Sequence, residues 1–242
     1  NYRTHHIERY GEDRLPEGAH IQDWPVTYEE LEPHYTQFEQ DTGVSGQVGN
    51  LNGQIIPGGN PFEGPRSAPY PLPPLQSSIG GIEFSEAADA LGYHPFPQPT
   101  SILSRGYTGA SGKPREACLY CGYCVRFGCE VDAKNSPITD HVELAQRTGN
   151  FDVRYGSKVT GIMMGDDGLA TGLRYIDLAT GEEHEQPADL VILSGFTMTN
   201  VRMLLLSGSN SHPDGVGNNQ GMVGKNYTYQ LLGTPATGFF EG

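Results

Sequence analysis

The sequence predicts a mixed α/β (α+β) chain: a loop-rich first part with isolated helices, then an antiparallel meander and part of a Rossmann-like unit. Three observations carry this. Residues 151–178 offer an alternating stretch at Phe151, Val153 and Tyr155 and two further strand-like stretches around a turn-forming dipeptide, and residues 189–193 form a continuous apolar run that leads through a short turn into a helical stripe. The third is composition: 33 glycines and 18 prolines among 242 residues demand much turn and extended backbone, while the apolar content stays ordinary for a globular protein.

In chain order, Thr27-x-x-Glu30 reads as a capping box, with Pro33 placed as the first residue of the helix that follows. Leu31, Tyr35 and Phe38 would share its buried face and Gly43 would end it. Residues 55–75, IIPGGNPFEGPRSAPYPLPPL, cannot be helical, because proline removes donors and enforces extended backbone. A linker is one reading; the interleaved Phe62, Tyr70, Leu72 and Leu75 favour a loop pinned to a domain surface. A second helix is expected over 78–91, with Ile82 and Leu91 inward, Gly92 as its stop and Gly80-Gly81 weakening it. Residues 101–104 form a short strand leading to the cysteines. Beyond them, Thr139 would cap a helix running to Arg147 and ending at Gly149.

Strands then follow. Phe151, Val153 and Tyr155 alternate with polar residues, 159–164 is strand-like, Asp167-Gly168 marks a turn, and 172–178 returns before the Thr180-Gly181 turn. The apolar run 189–193 is of the type buried on both faces of a parallel sheet. After it, the turn 194–199 opens a helix bearing Val201, Leu204 and Leu205 and closed by Gly208. Its N-terminus would be available to an anion, and strand, turn and helix should abut the strand end near Val159.

Charge excludes one function class. Fifteen basic against 29 acidic residues give −14, with no basic stripe to release counterions from nucleic-acid phosphates. The longest apolar runs, such as 190–193 and 203–206, fall far short of the ~20 residues of a membrane helix. No solenoid-period repeat is present. The chain starts at Asn1 without an initiator methionine or signal peptide, so the start reads as internal.

All four cysteines lie within twelve residues, as Cys118-x2-Cys121-x2-Cys124-x4-Cys129. Such clustering points to metal, iron–sulfur or redox chemistry. The spacing departs from the bacterial ferredoxin run, whose last gap is three and which continues with proline. Zinc normally takes two knuckles separated by a longer run. Disulfides or structural thiols remain open beside a cluster. Other motifs fail: Gly215-Val-Gly217-Asn-Asn-Gln-Gly221 misses the dinucleotide-loop spacing and follows no strand, and Gly224-Lys225 lacks the rest of a P-loop. No zincin motif or triad spacing appears among the histidines, and His5, His6 and His184 read as solvent residues.

Several ordered segments resemble one family. Asp23-Trp-Pro-Val-Thr-Tyr-Glu-Glu-Leu-Glu-Pro-His-Tyr35 with Gly43-Val-Ser-Gly46, the proline loop Pro69-Tyr-Pro-Leu-Pro-Pro74, Ala133-Lys-Asn135 and Asn200-Val-Arg-Met-Leu-Leu-Leu-Ser207 are similar to segments of the glucose–methanol–choline (GMC) flavoprotein oxidoreductases. The resemblance spans roughly residues 20–230. It implies FAD, a sugar, sugar acid or alcohol substrate, and hydride transfer from a substrate C–H to the flavin while a base takes the hydroxyl proton. It also implies that the glycine-rich FAD loop and the catalytic histidine pair lie outside this stretch, so no catalytic residue is assigned in it.

By the same resemblance, Val159 would contact adenine through its backbone, and Ser194 and Gly195 would line the adenine–pyrophosphate side. Cys118, Cys121, Cys124 and Cys129 would be candidate ligands of an iron–sulfur cluster passing electrons to a cytochrome c subunit. A periplasmic or membrane-associated setting follows from the same comparison. The implied organisation is a lid or substrate-domain segment over 1–105, a cysteine-rich segment over 106–136, a returning part of the FAD domain over 137–208, and the start of a substrate-domain segment over 209–242. The competing reading is a stand-alone electron-transfer or metal module built around the cysteines.

Overall fold

In the computed structural model, which describes residues 2–15, 17–18 and 21–227, the chain divides into two compact units, Asn1–Asp152 and Val153–Gly242. The last expected segment, 209–242, lies partly outside the described residues.

The first unit opens with α1 (Tyr2–Tyr10) and a 3-10 turn at Glu12–Arg14. Helix α2 (Tyr28–Thr42) has the expected capping box: Thr27 Oγ1 accepts from Glu30 N at 3.2 Å and Glu30 Oε2 accepts from Thr27 N at 2.7 Å. Because the box fixes the start at Tyr28, Pro33 lies inside the helix instead of opening it. There it lacks the N–H that would reach the carbonyl of Glu29. The buried face also differs from expectation. Tyr35 and Phe38 are each 49% exposed, whereas Glu32 and Thr42 are buried. Gly43 ends the helix at φ 80°, and a Cβ there would stand 2.6 Å from Leu103 and Tyr107 side-chain atoms.

That polar face explains how the proline-rich loop is held. Glu32 accepts from Ser67 N at 2.9 Å and from Ser67 Oγ at 3.0 Å. Arg66 is buried, pairs with Glu39, lies 3.5 Å from Glu63 and sits over the Tyr70 ring at 4.0 Å from its centroid. Tyr70 donates its hydroxyl to Glu63 at 2.8 Å, and burial pushes the phenol pKa up. Leu72 joins Leu103 and Ala133 in the apolar cluster. The loop is pinned as the sequence suggests, though Phe62 is 84% exposed and takes little part. A short hairpin, β1 (Asn50–Leu51) with β2 (Gln54–Ile55), precedes it.

Helix α3 (Ile79–Ala90) is capped by Ser78, whose Oγ accepts from Gly81 N at 3.2 Å. Its expected inward residues face out: Ile82 is 48% and Leu91 75% exposed. Residues 101–104 make isolated bridges rather than a strand, Thr100 with Ser45 and Ile102 with Lys134. Leu103, the next residue, is fully buried. A second hairpin joins β3 (Tyr107–Thr108) and β4 (Pro114–Arg115).

Arg115 points inward from β4. Its guanidinium donates to Thr42 O at the end of α2 and lies 3.7 Å from Asp140, both side chains being 1% exposed. A cation there meets the negative end of the helix dipole. Asp140 also accepts from Ser111 N at 2.7 Å. With that carboxylate so engaged, α4 (His141–Arg147) starts after Asp140 without a side-chain cap, and Thr139 lies in the preceding 3-10 turn Pro137–Thr139 rather than capping the helix.

The second unit holds an antiparallel meander whose first two strands match the expected 159–164 and 172–178 stretches, while its third, after the Thr180-Gly181 turn, was not expected. Strands β5 (Ser157–Met164), β6 (Ala170–Asp177) and β7 (Glu183–Pro187) pair antiparallel in that order. Gly168, at φ 77°, serves the first turn, where Gly165 N donates to Leu169 O at 2.8 Å. A register shift between Val159 and Gly161 leaves Thr160 as a bulge. Residues 151–155 do not extend the sheet, and Tyr155 is 86% exposed. Helix α5 (Thr197–Leu206) lies on β5: Ser207 Oγ accepts from Ile162 N at 2.8 Å and donates to Met203 O at 2.7 Å. Ile162 and Met203 are the buried apolar pair, while Leu205, expected inward, is 43% exposed.

One element is corrected outright. Residues 189–193 are not a strand, and Leu190 and Ile192 are each 75% exposed. A parallel strand holds its shape through ladders to its neighbours. Among the described residues no strand lies beside this run, and the β6–β7 ladder closes with Ala188 N donating to Thr171 O at 3.0 Å.

Candidate functional site

The residues that the sequence singles out lie on one loop in the first unit and on a loop and strand β5 in the second. In the second unit, Ser194 and Gly195 are exposed and occupy the turn before α5. The turn is held by Asn200, in the first turn of α5. Its Oδ1 accepts from Gly195 N at 2.9 Å and its Nδ2 donates to Leu193 O at 3.2 Å. Phe196, the residue before the helix, has φ 78° and ψ 147° and gives no side-chain cap. The first N–H groups of a ten-residue helix are therefore left without a capping side chain of their own, a setting that favours negative charge.

Val159 lies in β5, half-buried, paired to Tyr175 and immediately before the bulge at Thr160. Since β5 is an edge strand, one side of its backbone faces away from the ladder; Ile162 N on that side is taken by Ser207. Small residues at 194 and 195, a main chain stitched by an amide and an uncapped helix start are compatible with an anionic nucleotide. Sequence reading missed the role of Asn200, because an asparagine five residues beyond a glycine has no recognised spacing signal.

In the first unit, Cys118 is tied down by its own N–H, which donates to Leu103 O at 2.8 Å. Cys118 and Cys129 are half-buried and pack against the Leu72, Leu103 and Ala133 cluster. Burial opposes charge on the Cys129 sulfur, yet the N–H groups of Lys134, Val131 and Ala133 directed at it bring its pKa below the usual thiol value. Cys121 and Cys124 are exposed, and all four are free thiols. The backbone between them passes through positive φ at Tyr120 (55°), Gly122 (79°) and Arg126 (74°). Lys134 Nζ holds the far side of the loop, donating to Cys124 O at 2.9 Å and to Phe127 O at 2.6 Å.

The four sulfurs expected as ligands are thus divided into two environments. Among the described residues no three Cys, His, Asp or Glu side chains converge to hold a metal ion. As arranged, Cys118, Cys121, Cys124 and Cys129 do not fit a metal cluster.

Comparison with known proteins gives the class. The model of the GMC oxidoreductase N-terminal region, described as GMC oxidoreductase, matches residues 103–231, and the chain belongs to that family. It is 38% identical over 238 residues to the gluconate 2-dehydrogenase flavoprotein of Pantoea cypripedii, a match covering 97% of this chain and 38% of that protein. It is 33% identical over 210 residues to the 2-methyl-1,2-propanediol dehydrogenase of Mycolicibacterium austroafricanum, covering 87% and 35%. With the fructose dehydrogenase large subunit of Gluconobacter japonicus it shares 24% over 204 residues, covering 84% and 34%. The chain therefore spans little more than a third of the length of these relatives.

Proposed function

We propose that this chain is part of an FAD-dependent oxidoreductase that oxidises the CH–OH group of a sugar, sugar acid or alcohol. The observation that carries this is membership of the GMC family together with relatives named as dehydrogenases of gluconate, a diol and fructose. Bound FAD would supply the hydride acceptor. The residues of this chain would position it: the Val159 backbone toward adenine, and Ser194 and Gly195 toward the adenine–pyrophosphate side. Asn200 would keep that turn in shape. No residue here is assigned to proton abstraction from the substrate.

A cytochrome c subunit as electron acceptor, and a periplasmic or membrane-associated setting, belong to the same reading by family resemblance. Among the described residues no helix is long and apolar enough to cross a membrane. The competing module organised around the cysteines loses ground because its sulfurs do not share a centre.

The complete polypeptide containing this chain tests the proposal. It is expected to purify with, or take up, one flavin per chain, giving a band near ~450 nm that an alcohol or sugar substrate bleaches anaerobically. Asn200→Ala should weaken flavin retention while far-UV circular dichroism stays unchanged. A complete polypeptide that binds no flavin on reconstitution, or binds it but is bleached by no sugar, sugar acid or alcohol in a broad panel, overturns the reading.

A further inference from the structure

The two-residue spacing of Cys121-Gly122-Tyr123-Cys124 has a chemistry that neither the flavin reading nor a metal cluster uses. Both thiols are free and exposed, whereas Cys118 and Cys129 are half-buried against the Leu72, Leu103 and Ala133 cluster. The chain bends at Gly122, which takes φ 79°, a conformation that glycine adopts without strain. Three residue steps span about 10 Å when fully extended, and a bend shortens that toward the roughly 4.4–6.8 Å between Cα atoms that a disulfide needs. The two ends of the pair are held differently. Cys124 is anchored through its carbonyl by Lys134, while Cys121 lies between positive-φ residues at 120 and 122.

We propose that Cys121 and Cys124 form a redox-active dithiol, closing to an intramolecular disulfide by exchange with a low-molecular-weight disulfide, while Cys118 and Cys129 stay reduced. The thiolate of one cysteine attacks the small disulfide, forms a mixed disulfide and releases one small thiol. The thiolate of the second then attacks the protein sulfur of that mixed disulfide and releases the other small thiol. Two protein thiols are thereby oxidised and one small disulfide is reduced to two thiols, with the two thiol protons passing to the leaving thiolates. Attack within a four-residue ring is intramolecular, so the mixed disulfide should not accumulate. The buried pair keeps its packing throughout, since Cys118 N remains bonded to Leu103 O and the Cys129 sulfur stays among its backbone donors.

This inference does not depend on flavin binding and is tested by mass spectrometry on the full chain. Reduced protein is equilibrated in glutathione buffers of increasing oxidised fraction, quenched with acid, alkylated after unfolding and digested with trypsin. Cleavage after Arg115, Arg126 and Lys134 separates peptide 116–126, which holds Cys118, Cys121 and Cys124, from peptide 127–134, which holds Cys129. The expected product is peptide 116–126 short of two hydrogens, alkylated at Cys118, with fragmentation locating the bond between Cys121 and Cys124. Cys121→Ser should instead accumulate glutathione on Cys124, because the second attack is lost. The proposal is overturned by a crosslink joining 116–126 to 127–134, by stable glutathione on both Cys121 and Cys124 of the unaltered chain, or by all four thiols staying reduced up to fully oxidised glutathione. Iron and acid-labile sulfide in anaerobically isolated protein, with all four thiols shielded from alkylation, would equally overturn it.

Discussion

The two units are held together by different means. In Val153–Gly242 an antiparallel ladder supplies most of the order, and a helix seals one strand through Met203, Ile162 and a single serine. In Asn1–Asp152 the strands are two residues long, and the work of joining distant segments falls to buried polar groups: Glu32, Arg66, Arg115 and Asp140. A ladder needs neighbouring backbone and tolerates many side chains. A buried ion pair needs particular partners, because removing one leaves the other charged and desolvated. The first unit should therefore be far more sensitive to single substitutions at its polar residues.

The sharpest break of this contrast is Arg115→Met. It leaves Asp140 buried with the Ser111 N–H but without its cation, and should cost about 3–5 kcal/mol in denaturant unfolding. Amide exchange should rise within 2–152 and not across the β5–β6 ladder. Adding Asp140→Asn should restore part of the loss, since the uncompensated charge is then gone. Equal destabilisation by single and double variants would refute the charge explanation. In the second unit, Ser207→Ala strips the partner from Ile162 N and should cost about 1–3 kcal/mol, detectable as faster exchange at that amide. Thr27→Ala, removing one arm of the capping box, should cost about 1 kcal/mol of the first unit's stability.

The smallest effect concerns acid. Hydrogen bonds to Glu32, led by Ser67 N–H and joined by Thr36 and Ser67 hydroxyls, outweigh burial and hold its pKa below the ordinary glutamate value of 4.5. A lowered folded-state pKa contributes stability that is fully present above the unfolded value and is lost as pH falls through the folded one. Below about pH 4.5 the first unit should thus weaken through this carboxylate, and Glu32→Gln should flatten that limb of the stability profile. An unchanged acid limb in the variant would assign the loss to other carboxylates.

Legibility in the sequence followed the same divide. The Asp-Gly turn and its flanking apolar stretches gave β5 and β6 to within two residues, because a strand pair is a local pattern, whereas the alternation at 151–155 made no strand and the polar β7, Glu183–Pro187, carried no apolar signal. The capping box and glycine stop of α2 were equally local. Its inward face was not, since Glu32 and Thr42 are buried by what the proline loop and Arg115 offer them, and hydrophobicity carries no mark of that. The apolar run 189–193 misled for a related reason: its composition suits a buried strand, but a strand also needs adjacent backbone to pair with. Cys118 to Cys129 were found by spacing, while their division into half-buried and exposed pairs depends on the distant Leu72 and Leu103.

The bonds that close the first unit also span long stretches of chain: 73 residues from Thr42 to Arg115, 67 from Gln40 to Tyr107 and 59 from Ser45 to Ser104. Each requires a large loop to shut before any reward is collected, and chains dominated by such closures fold slowly. The β5 and β6 partners, by contrast, are joined by a turn of a few residues and should pair early. During refolding there would then be an interval in which the meander is formed and Arg115 and Asp140 are still solvated. Throughout that interval the cysteine loop has no core to lean on, and all four thiols are open to whatever oxidant the surroundings hold.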